Sequence, residues 1–365
     1  MKIIITGGHH NCALVVAELL RKKGHEVFWF GHKYTIAGDK EPGAEFKEVT
    51  GAGFSFFEIR AGKFYRTFNP KKLAKIPLGF FQALIFLRKI KPAIIFSFGG
   101  YLAVPVVIAG KVLAIPSFTH EQTVVSGLAN KLIGFFAKKI FLTWPQSADH
   151  FPKEKTVITG LPLRKEIFSG KKLFNNDLST VYLSGGKQGA HILNFAVKPI
   201  LRKILAKYNF IHQCGGTTVF RDYDAFKKEK EVLPRELSNR YLLKDYFFKA
   251  EMGDVFKSCD LFIGRSGAHT VYELLALEKR CLLIPIPWVS GNEQQLNAET
   301  LVKAGIGEIL SQKDLTPESL WTTIEKIMGS SGKQKIINSQ IKSLLYLDAE
   351  EKIVKEVENY FSEKK

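Results

Sequence analysis

Cysteine is scarce in this chain and never clustered. Cys12, Cys214, Cys259 and Cys281 stand far apart, with no Cys-x-x-Cys pair and no Cys/His cluster. That spacing argues against a disulfide framework and a thiolate zinc site, and it fits a reducing cytoplasm. No secretory leader is expected, because Lys2-Ile3-Ile4-Ile5 runs directly into Thr6-Gly7-Gly8. One long uncharged run exists, residues 93–110, but Gly99-Gly100 and Pro105 interrupt it. It reads as a strand, a glycine turn and a helix rather than as a membrane span. Acidic residues are in deficit, 35 against 53 Lys+Arg, for a formal net charge of +18. The imbalance is uneven: residues 1–164 hold 23 basic and 10 acidic side chains, the remainder 30 and 25. A first half so basic suits a polyanionic partner such as anionic lipid, nucleic acid or a phosphorylated substrate. No motif of interleaved aromatic and basic residues supports nucleic acid.

What is present is repetition of one unit. Lys2–Thr6 reads as a buried strand, Gly7-Gly8-His9 as a turn, 12–23 as a helix and Glu26–Gly31 as a second strand. That succession predicts a parallel sheet with right-handed crossovers. It is a poor dinucleotide fingerprint, lacking the third glycine and the acidic residue after the second strand. Residues 69–90 read as a basic, apolar helix broken at Pro77, and residues 165–178 as a polar linker. The pattern restarts at Thr180–Ser184, followed by Gly185-Gly186-Lys187-Gln188-Gly189 and further strands at 210–213, 241–243, 261–263 and 281–286. Two doubly wound α/β halves are expected, with ligands at the carboxyl ends of the strands.

The stretch Leu261–Leu275 carries the chemistry most densely. An apolar strand feeds Gly264-Arg265-Ser266-Gly267-Ala268 and then a helical pattern containing Thr270 and Glu273. A strand entering a helix through a glycine turn aims free N–H groups and the positive end of a helix dipole at one point, where a phosphate can sit. Glu273 could then reach a ribose diol. Thr270-x-x-Glu273 is equally a capping box, which needs no ligand.

Seven motifs occur in order: Thr6-Gly7-Gly8-His9; Phe98-Gly99-Gly100-Tyr101; His120-Glu121-Gln122 with Gly127 and Asn130; Gly160-x-Pro162-x-Arg164; Gly185-Gly186-x-Gln188-Gly189-Ala190; Arg265-Ser266-Gly267-Ala268-x-Thr270-x-x-Glu273; and Gln294-x-x-Asn297-Ala298. Over nearly its whole length the chain resembles the MurG family of N-acetylglucosaminyltransferases, which convert lipid I to lipid II in peptidoglycan synthesis. The resemblance implies a GT-B fold, α/β, with two doubly wound Rossmann-like domains facing a central cleft. Residues 1–163 would bind acceptor and membrane and 164–348 the UDP-sugar, with a helix at about 349–365 packing back on the first domain. It implies UDP-N-acetylglucosamine, undecaprenyl-pyrophosphate-linked lipid I and an anionic membrane surface as partners, no nucleic acid, and a peripheral position on the cytoplasmic side of the cell membrane. No Asp-x-Asp metal motif is evident beside these motifs, so neither metal nor other cofactor is expected.

Residue by residue, the resemblance puts Glu273 on the ribose hydroxyls and Ala268, His269 and Thr270 at the diphosphate. Arg164 and Lys187 would lie near the phosphates, Phe248 and Lys249 along the uracil, and Gln294 at the sugar hydroxyls, with Gln188 also binding the UDP-sugar. Gly7, Gly8, Gly99, Gly100, Tyr101, His120 and Gln122 would form the acceptor side. His9 and Glu121 are both candidates for the base that takes the acceptor's hydroxyl proton. The chain departs from the family pattern at Ile4-Ile5, Cys12, Thr123, Lys187 and Glu293. The first three bear on the acceptor side and Glu293 on the choice of sugar. Two rival readings share the architecture: a GT-B transferase moving a hexose from a UDP-sugar to another lipid, and a UDP-sugar 2-epimerase.

Overall fold

The structure, a computed structural model, describes residues 1–34, 42–60, 75–216, 219–329, 339–342 and 345–363. Lys71 and Lys72, and the side chain of Lys75, lie outside that description. The chain divides into two compact units, Met1–Leu163 with Tyr346–Lys365, and Arg164–Leu345.

In the first unit β1 (Lys2–Thr6), β2 (Glu26–Gly31), β3 (Ser55–Glu58), β4 (Ile94–Ser97), β5 (Ser117–Glu121), β6 (Lys139–Leu142) and β7 (Thr156–Ile158) form one parallel sheet. Its order is β3-β2-β1-β4-β5-β6-β7. Ile3, Ile4 and Ile5 are wholly buried, as expected of a strand covered by helices on both faces. In the second unit β8 (Thr180–Ser184), β9 (Asn209–Gln213), β10 (Tyr241–Lys244), β11 (Leu261–Gly264), β12 (Cys281–Leu283) and β13 (Gly307–Ile309) are also all parallel. Their order is β10-β9-β8-β11-β12-β13. Strand order therefore reverses between β1 and β4 in one unit and between β8 and β11 in the other. A glycine turn follows each of those four strands, so each switch point, where open α/β sheets bind ligands, is flanked by two of them.

Several expectations need correction. Pro77 does not break its helix; it sits in the first turn of Lys75–Ile90, where a missing N–H costs nothing. Residues 165–178 are not a free linker. The Lys171 amide donates to Asp254 Oδ1 at 2.7 Å and the Leu173 amide to Ser258 Oγ at 2.8 Å, strapping the segment to the second unit. The helix expected over 191–206 is two, His191–Val197 and Leu201–Lys207, joined by a tight turn at Pro199. Ala349–Ser362 is a helix in the first unit, with Lys23 Nζ 2.6 Å from Glu358 and the Tyr360 ring edge-on to Phe118 at 5.1 Å.

Candidate active site

In the second unit, β11 ends at Gly264 and Gly267 caps the helix Ala268–Ala276. The first amide to bond back is that of Val271, to Gly267 O at 3.0 Å. The amides of Ala268, His269 and Thr270 precede it and have no helical acceptor. Thr270 therefore lies inside the helix, not before it, and no side-chain cap bond forms. That removes the capping-box reading of Thr270-x-x-Glu273.

Glu273 lies one turn in and is 3% exposed. Arg164 donates to its Oε1 from Nη2 at 2.7 Å and from Nε at 3.2 Å, and His269 Nε2 is 3.2 Å from the same oxygen. None of these contacts uses Oε2. Burial alone would raise the carboxyl's pKa; the Arg164 charge, helped by His269, overrides it and holds the group down at about 2. Among the described residues Glu273 is thus an ionised acceptor with one oxygen committed and one uncommitted.

The next loop is stitched to this turn. Gln294 accepts from the Ile286 amide through Oε1 at 3.0 Å, which leaves its Nε2 as a donor. Ser266 Oγ donates to Gln294 O at 2.7 Å, and Asn297 Nδ2 to Ser266 O at 3.1 Å. On the other side of the switch point, Gly189 holds φ +77°, and a Cβ there would fall 2.0 Å from Cys214 O, so only glycine lets the loops after β8 and β9 meet. Lys187 and Gln188 stand exposed on that turn. Phe248 is 44% exposed, and Lys249 lies 3.3 Å from Glu166.

Sequence reading missed Gln213. This buried side chain donates to Ser184 Oγ at 3.1 Å and Gly186 O at 3.0 Å and accepts from the Phe247 amide at 3.0 Å, so one amide ties the loops after β8 and β10 together. Its signal was a glutamine closing an otherwise buried strand. An Asp-x-Asp pair, Asp222 and Asp224, was also passed over. Asp222 is occupied by His191 Nδ1 at 2.8 Å and Asn194 Nδ2 at 2.7 Å, and Asp224 is exposed. Among the described residues no group of three or more His, Cys, Asp or Glu is arranged to hold a metal ion.

In the first unit the turns after β1 and β4 press together: the Gly8 amide donates to Gly99 O at 2.9 Å, and a Cβ on Gly7 (φ +137°) would fall 2.7 Å from the Phe98 backbone. Asn130 braces the second turn. Its Oδ1 accepts from the Gly100 amide at 3.1 Å and its Nδ2 donates to Glu121 Oε2 at 2.8 Å. Glu121 Oε1 accepts from the Thr123 amide at 3.1 Å, with Thr123 Oγ1 at 3.0 Å sharing its proton with Val125 O. Both oxygens of Glu121, 2% exposed, are thus engaged. His9 is exposed at the entry to the helix His10–Lys22. His120 is fully buried and donates to Gly160 O at 2.9 Å; burial pushes its pKa down to about 4, so the ring is neutral. Gln122 is buried against Cys12 Sγ. Tyr101 is half-buried, its ring 5.8 Å from His32, its hydroxyl pKa raised by burial and then by Glu45. The structure therefore gathers His9, Gly99, Gly100 and Tyr101 on paired turns, while His120, Glu121 and Gln122 lie beneath the surface.

Two parallel α/β units, each with paired glycine turns at a switch point and one with an open helix N-terminus above a buried carboxylate, are the architecture of a GT-B glycosyltransferase. Residues 3–142 match the glycosyltransferase family 28 N-terminal domain and residues 180–356 the glycosyltransferase family 28 C-terminal domain, and the chain belongs to that family. A relative from Clostridium botulinum (strain 657 / Type Ba4), UDP-N-acetylglucosamine--N-acetylmuramyl-(pentapeptide) pyrophosphoryl-undecaprenol N-acetylglucosamine transferase, is 34% identical across 94% of both chains. The crystal structure of Acinetobacter baumannii MurG superposes with a TM-score of 0.61 at 23% identity, covering 96% of this chain and 94% of that one. A putative UDP-N-acetylglucosamine 2-epimerase from Listeria monocytogenes gives a TM-score of 0.70 at 12% identity, covering 100% and 97%. At these identities the two structural likenesses speak to fold alone.

Proposed function

We propose that the protein transfers N-acetylglucosamine from UDP-N-acetylglucosamine to the MurNAc C4 hydroxyl of undecaprenyl-pyrophosphate-linked lipid I, with inversion, giving lipid II. The observation that carries the donor half is Glu273. It is ionised, fixed one turn inside a helix with open leading amides, and keeps one oxygen for the ribose hydroxyls of UDP. Ala268, His269 and Thr270 would present those amides to the diphosphate, with Lys187 and Gln188 from the opposite turn. Phe248 and Lys249 would flank the uracil and the Gln294 Nε2 donor would meet a sugar hydroxyl. Arg164 acts chiefly through Glu273, since its guanidinium already neutralises that carboxylate. As the acceptor oxygen bonds to the sugar's anomeric carbon, the bond to UDP breaks and charge grows on the leaving diphosphate, where a preorganised helix N-terminus stabilises it. The relatives' activity favours transfer over epimerisation despite the shared fold. A labelled transfer assay with UDP-N-acetylglucosamine and a lipid I analogue tests this; release of an epimerised sugar nucleotide without acceptor would favour the epimerase.

Of the two base candidates, the geometry favours His9. A base must be within the acceptor's reach; His9 is exposed, whereas Glu121 is 2% exposed with both oxygens engaged. Glu121 then positions Asn130, and through it Gly100.

Helix amides and Lys187 would take the role a cation has elsewhere, so full activity is expected in EDTA. Loss of activity that magnesium restores would overturn this.

We also propose peripheral docking of the first unit on an anionic bilayer at the cytoplasmic side of the cell membrane. Among the described residues no helix is long and apolar enough to cross a membrane. The helix Lys75–Ile90 buries Ala83, Leu87 and Ile90 yet exposes Leu78, Phe81 and Ile85 at helical spacing. The helix Leu128–Phe136 likewise exposes Leu128, Leu132 and Phe135. Arg88, Lys89, Lys131 and Lys138 are exposed on or just after these helices. Several cations, each contributing about 1 kcal/mol near an anionic surface, and an apolar wedge suffice for reversible attachment. Phe81→Glu with Ile85→Glu should release the protein from anionic vesicles without changing UDP affinity, and salt should weaken wild-type binding. Co-sedimentation that is unchanged in the variant, and equal on neutral lipid, would rule this face out.

A further inference from the structure

The loop from β12 into the helix Glu293–Lys303 runs Ile284-Pro285-Ile286-Pro287-Trp288-Val289. Its two prolines restrict the backbone at alternate positions. It is also tied down on the β11 side: the Ile284 amide donates to Gly264 O at 2.8 Å, and Arg265 Nη1 donates to Ile284 O at 2.7 Å. The Ile286 amide is held by Gln294 Oε1 at 3.0 Å. On this stiff loop Trp288 is 67% exposed. Among the described residues it has no hydrogen-bond or ring partner. The other tryptophans behave differently: Trp29 and Trp144 are fully buried, and Trp321 packs against the second unit's core. A rigid mount for a bare indole, at the carboxyl edge of the sheet, is what a ligand platform requires.

We infer that Trp288 is a specificity-determining residue of the donor site, its indole packing against the apolar C–H face of the transferred hexosamine ring. This rests on the UDP-sugar reading of the same unit. A pyranose presents hydroxyls around its rim and an apolar face, so recognition needs polar donors and a flat apolar surface together. The Gln294 amide supplies the first from the far end of this loop, and Trp288 supplies the second. The uridine half is provided for separately by Glu273 and Phe248, so Trp288 discriminates the sugar and not the nucleotide.

Because Trp288 is the most exposed indole, emission at the red edge of the tryptophan spectrum reports on it. Saturating UDP-N-acetylglucosamine should shift that emission to the blue, and UDP alone should not. Trp288→Leu should abolish the shift and raise donor KM about five- to tenfold, a stacking-sized effect, with UDP affinity by calorimetry unchanged. Trp288→Tyr should recover most of the KM. An equal shift with UDP alone, or a Trp288→Leu variant with wild-type KM, overturns the inference while leaving the donor reading intact. Failure of the wild-type protein to bind UDP at all overturns that reading and the inference with it.

Discussion

His9→Ala is expected to lower kcat by about 10²–10⁴-fold, the range for losing a general base, while UDP affinity stays at the wild-type value. Glu121→Gln should lose far less, because an amide oxygen can still accept from Thr123 or Asn130. Glu121→Ala is expected to fail in another way. It strands the buried Asn130 and Thr123 donors, at about 1–3 kcal/mol for each unsatisfied group, and frees the Gly99-Gly100 turn that Asn130 holds. The discriminating measurement is kcat against melting temperature across the three variants. If His9→Ala keeps wild-type kcat and Glu121→Gln abolishes it with no change in melting, the roles are reversed.

Glu273→Ala should be the most damaging substitution in the second unit. It removes the carboxylate that the Arg164 guanidinium, 5% exposed, donates to, and breaking a buried pair from one side costs about 3–5 kcal/mol. It also removes the oxygen proposed for the ribose. Glu273→Gln separates the two effects, since it keeps shape and an acceptor but loses the charge. The sign of the pH dependence follows from the depressed carboxyl, about 2 against an ordinary 4.5. Its stabilisation is complete above that ordinary value and is lost as pH falls from there through the folded value. The melting gap between wild type and Glu273→Gln should therefore narrow under acid and stay constant above about pH 5. Unchanged UDP affinity in Glu273→Gln and Glu273→Ala, with lowered melting alone, would leave Glu273 a purely structural residue.

Features legible in the sequence were those that leave a local mark. β1, β2, β6, β7 and β8 coincide with their apolar runs, because strands of a parallel sheet covered by helices favour apolar side chains. The glycine turns were legible because positive φ and close backbone approach admit little else. β13, three residues long, is too short to show a period. The site's wiring was equally hidden. Arg164 reaches Glu273 across 109 positions and Gln213 reaches Phe247 across 34; no spacing rule encodes contacts made by tertiary folding. Consequently sequence singled out Glu121 and Glu273 as candidates but did not show that one is saturated while the other, among the described residues, has an oxygen to spare.

The return of Tyr346–Lys365 to the first unit governs the order in which the chain can be completed during synthesis. Ile353, Val354 and Val357 of its helix are buried there, yet they leave the ribosome after every residue of the second unit. Domains generally fold as units while the chain emerges. The second unit can therefore finish on schedule, whereas the first must wait with part of its apolar surface uncovered. A polypeptide that stops before Tyr346 would carry an intact second unit beside an unfinished, aggregation-prone partner. Synthesis through this helix is in this sense a checkpoint built into the connectivity: of the two units, the first to begin is the later to be sealed.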